Sequence, residues 1–240
     1  MRNCHYAGVR IAADNDDTRI ERCRISGAAW HGIRYDNASP RIVNNLIFGN
    51  ARSGIYASGE TAAVVSGNLF YANEMCGVSC WFQNADTIEG NTFVENQRSG
   101  LEILGASKPT VRRNIFYANP TSVFLGNIGS ESRFAQSDGT VALDTNLFWA
   151  NEHDVAWRPD ANTVETIVPG QETHTLQTDP QFAAAETKDF SLAAGSVARQ
   201  KDVGVADPMP LASPWPLQPE ERAIIPEGDT RDSRQWRHAK

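Results

Sequence analysis

Polar and apolar positions along the chain recur in a fixed order: Asn, any residue, an apolar residue, two further residues, Asn. The order appears as Asn45-Leu46-Ile47-Phe48-Gly49-Asn50, Asn68-Leu69-Phe70-Tyr71-Ala72-Asn73, Asn91-Thr92-Phe93-Val94-Glu95-Asn96, Asn114-Ile115-Phe116-Tyr117-Ala118-Asn119 and Asn146-Leu147-Phe148-Trp149-Ala150-Asn151. The leading Asn residues lie 23, 23, 23 and 32 positions apart. A fixed period in the twenties predicts a solenoid. One such period is too short for two packed helices with their connections, and its apolar residues form short clusters rich in Val, Ile and Phe, which favour strands.

Two further stretches repeat between the Asn pairs. Gly opens the first: Gly8-Val9-Arg10-Ile11, Gly32-Ile33-Arg34-Tyr35, Gly54-Ile55-Tyr56-Ala57, Gly77-Val78-Ser79-Cys80 and Gly100-Leu101-Glu102-Ile103. In each, the first and third residues after Gly share one face and the second takes the other. The second stretch is marked by Ile20, Ile42, Val64, Ile88 and Val111. The prediction is three short strands per coil, separated by bends at which Gly and Asn tolerate unusual dihedrals. Asn side chains in register can hydrogen-bond from coil to coil across about 4.8 Å, so that buried amides are satisfied along the stack.

This pattern, over roughly residues 1 to 160, resembles the right-handed parallel β-helix of the pectate-lyase-like superfamily. The fold class expected is therefore all-β, a right-handed parallel β-helix solenoid of about six coils with an extended Pro-rich C-terminal tail. The resemblance speaks for the fold rather than for one chemistry, because the scaffold hosts many activities. Further on, Asp179-Pro180-Gln181-Phe182 and Asp189-Phe190-Ser191-Leu192-Ala193-Ala194-Gly195-Ser196 resemble the closing segment of many extracellular bacterial β-helix proteins, with Val197 where Pro is usual. Phe182, Phe190 and Leu192 are expected to cover the last coil. The domain thus spans 1–205, closing at about 175–205, and a Pro-rich extension occupies 206–240, where Trp215 and Leu217 are candidate anchors.

By the same offsets Met1 falls where Phe70 falls in a complete coil, so the chain begins inside a strand. An uncapped solenoid end exposes apolar core and unpaired strand edges. Upstream polypeptide or a partner is expected to cover it.

Composition changes the picture little. The 240 residues, 40% hydrophobic and 21% charged with a formal net charge of −7, describe one ordinary domain and argue against nonspecific nucleic-acid binding, which favours a basic face. No apolar run is long enough for a transmembrane segment. Cys4 and Cys23 occupy ladder positions and Cys80 an inward one, which with Cys76 predicts buried free thiols rather than a disulfide or zinc site. In Ala13-Asp14-Asn15-Asp16-Asp17-Thr18, the carboxylates of Asp14, Asp16 and Asp17 are a candidate calcium set, although tight turns use the same residues.

A solenoid buries one side of each strand and shows the other, so chemistry is expected on outward residues. One per coil, these are Arg10, Arg34, Tyr56, Ser79, Glu102 and Phe124, flanked by Asp36, Glu60, Trp81 and Lys108. Such a line suits an extended polymer: aromatic faces stack on sugar rings and Arg holds carboxylates or sulfates. Arg10, Asp36, Glu60, Ser79 and Trp81 are the expected substrate-binding residues, and Arg34, Tyr56, Glu102 and Lys108 the candidate catalytic ones. The family's lyases neutralise a uronate carboxylate and abstract the neighbouring proton; Arg34 or Arg10 can serve the first need, and Lys108, Arg34 or Tyr56 the second. A hydrolase needs two carboxylates, for which Glu102 with Asp36 or Glu60 is available. Glu102 and Arg34 stand three coils apart, roughly 14 Å. His31 reads as a bend residue, and His153 with Asp154 as a second acid–base locus. The insertion near residues 126–139, with Arg133 and Phe134, is a candidate cleft wall.

No P-loop, G-x-S-x-G, H-E-x-x-H or dinucleotide fingerprint is present. The short catalytic signatures of calcium-dependent pectate lyases, polygalacturonases and alginate epimerases are also absent. The resemblance implies an extracellular or cell-surface domain, and the expected function is polysaccharide binding, as part of a carbohydrate-active enzyme. A lyase acting on uronate-containing glycans and a non-catalytic surface or adhesive module are the alternatives.

Overall fold

The computed structural model describes residues 6–127, 136–159, 166–167 and 172–210. The chain winds through six successive triplets of short parallel strands. These stack into three sheets whose neighbours are the equivalent strands of adjacent coils. The first sheet carries the Gly-initiated strands, among them His31–Asp36, Ile55–Ser58, Cys76–Trp81, Ser99–Leu104 and Thr121–Gly126. The second includes Arg41–Val43 and Thr87–Glu89, and the third Leu46–Phe48 and Thr92–Val94. A seventh strand of the first sheet, His153–Arg158, pairs antiparallel with Thr166–Ile167.

Registers follow the repeat. In the first sheet Arg34, Tyr56, Ser79, Glu102 and Phe124 stand opposite one another in turn. In the second, Ile42 pairs with Val65 and Val65 with Ile88. Val65 therefore holds the inward position that the sequence assigned to Val64. Two adjacent β-branched residues made the phase ambiguous there.

The core is a column of apolar side chains from all three sheets. Its spine is aromatic: Phe70, Phe93, Phe116 and Phe148 stack at centroid spacings of 4.9, 4.8 and 5.3 Å, with rings within 12° of parallel. At the two bends flanking the third sheet run two Asn ladders. In one, the Nδ2 of Asn45, Asn68, Asn91 and Asn114 donates to the Oδ1 of the next Asn at 2.9–3.0 Å. The other runs from Asn50 to Asn151. The residue before each rung is left-handed, including Ala72 (φ 49°), Glu95 (φ 49°) and Arg113 (φ 55°). A non-Gly residue there costs about 1–2 kcal/mol, which the paired ladder bonds offset.

Beyond residue 180 the structure departs from expectation. Phe182, Phe190 and Leu192 do not cover the last coil but lie along the outer face of the third sheet. There Phe190 packs on Leu46, Leu69 and Val94, and Leu192 packs with Ile115 and Leu147. The reason is in the repeat: the second and fourth positions of the Asn motif point outward and are mostly apolar, among them Leu46, Leu69, Val94 and Tyr117, so this sheet has two apolar faces and needs a cover. The hairpin Phe182–Ala184/Asp189–Leu192, the short helix Val197–Gln200 and a strap to residue 210 supply it. The strap runs back toward the first coil, with Gly204 N–H donating to Arg113 O, Val205 N–H to Thr92 Oγ1, and Arg24 reaching Pro210 O. At the end of the core Trp157 packs instead.

Cys76 and Cys80 are buried free thiols, whereas Cys23 is free and exposed, contrary to expectation. Cys23 sits at the first rung of the ladder, where its N–H donates to Asn45 Oδ1 but no preceding described coil covers its side chain. Residues 1–5, the insertion residues 128–135 with Arg133 and Phe134, and residues 211–240 with Trp215 and Leu217 lie outside the described residues.

Candidate functional site

Four columns of side chains rise along the outside of the first sheet, each set by one strand position. The central column is the predicted line, Arg10, Arg34, Tyr56, Ser79, Glu102, Phe124 and then Ala156. Beside it run His31, Ser53, Cys76, Ser99, Thr121 and His153, small residues between two histidines. One wall is Asp36, Ser58, Trp81 and Leu104. The other is Trp30, Arg52, Met75 and Arg98, linked by backbone hydrogen bonds from each residue's N–H to the carbonyl of the one before it.

The aromatic rings along this face are in contact. Tyr6 stacks on Trp30 (4.6 Å), Trp30 meets His31 edge-on (6.2 Å), His31 meets Tyr56 (4.7 Å), and Tyr56 meets Trp81 (5.6 Å). The guanidinium of Arg52 lies 4.3 Å from the centroid of Trp30, and that of Arg34 lies 5.1 Å from Tyr56. This is a continuous aromatic strip with cations over its rings, a favourable electrostatic arrangement. Burial, with Arg52 and Arg34 nearby, pushes His31 down to about 3. It is thus neutral at ordinary pH, with Nδ1 accepting from Ser53 N–H at 3.3 Å. Burial raises the Tyr56 phenol, which makes Tyr56 a poor base.

Arg34 is held bidentately by Asp36, at 2.8 Å through both Nε and Nη2, and donates through Nη1 to Tyr6 OH. Its pKa is raised chiefly by Asp36. Glu102 is buried, its side chain 2% exposed, and ion-paired at 2.9 Å with Arg98, which is 45% exposed. Its Oε1 accepts no hydrogen bond beyond that ion pair, while Ser79 Oγ donates to Oε2. Ser79 in turn accepts from Trp81 Nε1 at 2.7 Å. A polar chain thus connects the Trp81 ring, through Ser79 and Glu102, to Arg98, whose guanidinium lies 5.4 Å from the Phe124 centroid. Beyond Phe124 a pocket of about 310 Å³ opens between Arg98, Thr121, Glu152 and His153.

The structure therefore brings Arg34, Asp36, Tyr56, Ser79, Trp81 and Glu102 onto one face, with exposed Arg10 at its start. It leaves other candidates apart. Lys108 is tied to Asp138 and Thr140 in the bend after Ser99–Leu104. Glu60 is exposed in a bend, its N–H on Asn37 Oδ1. Asp154 accepts from Gln177 (2.7 Å), whereas His153 lines the pocket. Asp14, Asp16 and Asp17 are exposed, Asp16 accepts from Ser39 N–H, and no cluster of three or more His, Cys, Asp or Glu side chains occurs among the described residues. Of these three carboxylates, that of Asp16 thus serves the turn.

His31 is a correction of a different kind: it is part of the strip, packed against Tyr56. Sequence reading also missed the wall of Trp30, Arg52, Met75 and Arg98. Each stands two residues before the strand Gly, an offset as regular as that of the central column.

Stacked parallel coils with chemistry carried on the outside of one sheet define a parallel β-helix protein. The chain belongs to the family described as "Right handed beta helix region", whose model matches residues 7–155. A solved structure of a mutant of the periplasmic alginate epimerase AlgG shares the fold, with a TM-score of 0.57 at 17% identity. The match covers 73% of this chain and 42% of that one. The chain thus spans less than half the length of that protein. The sequence matches no curated protein. No helix among the described residues is long and apolar enough to cross a membrane.

Proposed function

We propose that the chain binds an extended polysaccharide along the outer face of the first sheet. One observation carries this reading: the uninterrupted run of ring contacts from Tyr6 through Trp30, His31 and Tyr56 to Trp81. A run of aromatic side chains from coil to coil offers apolar surface along the axis of the helix, and its rise of about 4.8 Å per coil is close to the length of one sugar unit. Amphipathic aromatics suit such a surface because they present large rigid area at little entropic cost. The shared fold with a polysaccharide-modifying protein, the alginate epimerase, is consistent with this reading. The same reading places the chain outside the cytoplasm, where such polymers are met.

Binding is favoured over cleavage by the state of the candidate catalytic groups. Arg34 is paired bidentately with Asp36 and bonded to Tyr6, Lys108 is held elsewhere, and Tyr56 is driven toward its neutral form. Glu102 and Asp36 stand three coils apart, farther than the roughly 5–10 Å a carboxylate pair needs for glycoside hydrolysis. The test is affinity electrophoresis through gels containing acidic or neutral polysaccharides. The expected result is retardation by at least one polysaccharide, reduced about tenfold in affinity by Tyr56→Ala or Trp81→Ala, without release of unsaturated uronate. Unretarded migration in every gel would overturn the reading.

A further inference from the structure

The wall missed by sequence reading alternates in charge, and the alternation has a length. Arg52 and Arg98 stand two coils apart, about 9–10 Å, with the neutral Met75 between them. Each is exposed and each lies over a ring, Arg52 over Trp30 of the strip and Arg98 over Phe124 of the central column. At the same four levels the opposite wall holds Asp36, Ser58, Trp81 and Leu104. At the levels of Trp30 and Met75, where the first wall has no cation, the opposite wall offers no donor to an anion: Asp36 is a carboxylate already matched by Arg34, and the Trp81 indole N–H is taken by Ser79.

In an extended two-fold glycan, substituents on consecutive sugars face opposite sides of the ribbon. A chain with an acidic group on every second sugar puts all of them on one side, two sugars apart, the spacing of Arg52 and Arg98. A chain acidic on every sugar puts the intervening groups against the other wall, at the levels of Asp36 and Trp81. There a carboxylate loses hydration without gaining a partner.

Resting on the polysaccharide reading above, we propose that the strip selects glycans carrying one anionic group per two sugars. Arg52 and Arg98 read the anions, and Met75 marks the neutral sugar between them. Glu102 is the positioning residue for Arg98: its buried carboxylate holds the guanidinium against Phe124 while leaving the remaining donors to the ligand.

Isothermal titration with defined oligosaccharides tests this. The probes are a hyaluronan octasaccharide, acidic on every second sugar, a β-1,4-linked mannuronate octamer, acidic on every sugar, and neutral cellohexaose. The expected result is that the hyaluronan octasaccharide binds at least tenfold more tightly than the other two. Arg52→Gln and Arg98→Gln are each expected to weaken it about tenfold, and Arg112→Gln, an exposed cation of the second sheet, to leave it unchanged. Because Arg98→Gln strips Glu102 of its ion pair, the double variant Arg98→Gln/Glu102→Gln is measured alongside. It is expected to keep the wild-type melting temperature within a few degrees and still lose affinity. Equal affinity for the mannuronate octamer, or Arg variants without effect on a glycan that does bind, overturns the charge-spacing proposal and leaves polysaccharide binding standing. Absence of binding by all three probes overturns the charge-spacing proposal, and unretarded migration in every gel as well overturns both.

Discussion

At the residue scale, two titratable side chains sit in surroundings that contradict their usual place in a solenoid. Asp86 is fully buried in the core, where Tyr35 OH and Asn84 Nδ2 donate to it and Ala63 N–H donates at 2.7 Å. Burial raises its carboxyl against those hydrogen bonds. His31 is the more testable case. Its folded pKa lies at about 3 against an ordinary 6.5, so between those values the unfolded chain binds the proton and the folded chain does not. Stability then rises with pH across this window. His31's contribution is at its full value above about 6.5 and is lost as pH falls toward 3. Urea unfolding at pH 7 and pH 4 should show a steeper acid loss for wild type than for His31→Gln, by on the order of 1–3 kcal/mol. Equal losses in the two proteins would place His31 in water rather than against Tyr56.

At the element scale, most of the architecture was legible because side chains in stacked coils repeat their environment. The Asn motif revealed the ladders, and the Gly offset revealed the central column from Arg10 to Phe124. What remained hidden were features outside the stacking rule. The C-terminal hairpin packs by shape against a surface the repeat made apolar, and nothing in Phe182 or Phe190 names which face they meet. The Trp30 to Arg98 wall was periodic, yet its residues share no chemical type, so the eye that finds Asn after Asn passes over it. Lys108 read as a flanking residue of the strip, but the bend turns it toward Asp138. The cover on the third sheet yields its own expectation. Phe190→Ala removes a fully buried ring between Tyr71 and Phe182, and should cost about 3–5 kcal/mol by urea denaturation. Trp149→Ala, on an exposed position of the same sheet, should cost under about 1 kcal/mol. A small loss at Phe190 would mean that the hairpin does not seat where the structure places it.

At the scale of the whole molecule, the three sheets divide their labour. The third is sealed by the chain's own C-terminal segment, the second presents short strands edged by charged residues such as Arg112 and Glu89, and the first leaves an aromatic and cationic strip open to solvent. The formal net charge of −7 contrasts with the cations Arg34, Arg52 and Arg98 on that strip. The central claim is that polysaccharide lies on the strip and nowhere else. Indole N–H resonances give the most direct measurement, because Trp30 and Trp81 lie on the strip while Trp149 lies on the third sheet. Titrating the ¹⁵N-labelled protein with the polysaccharide that retards it in gels should shift the Trp30 and Trp81 indole signals and leave that of Trp149 in place. A shift of Trp149 with Trp30 and Trp81 unmoved would contradict the account.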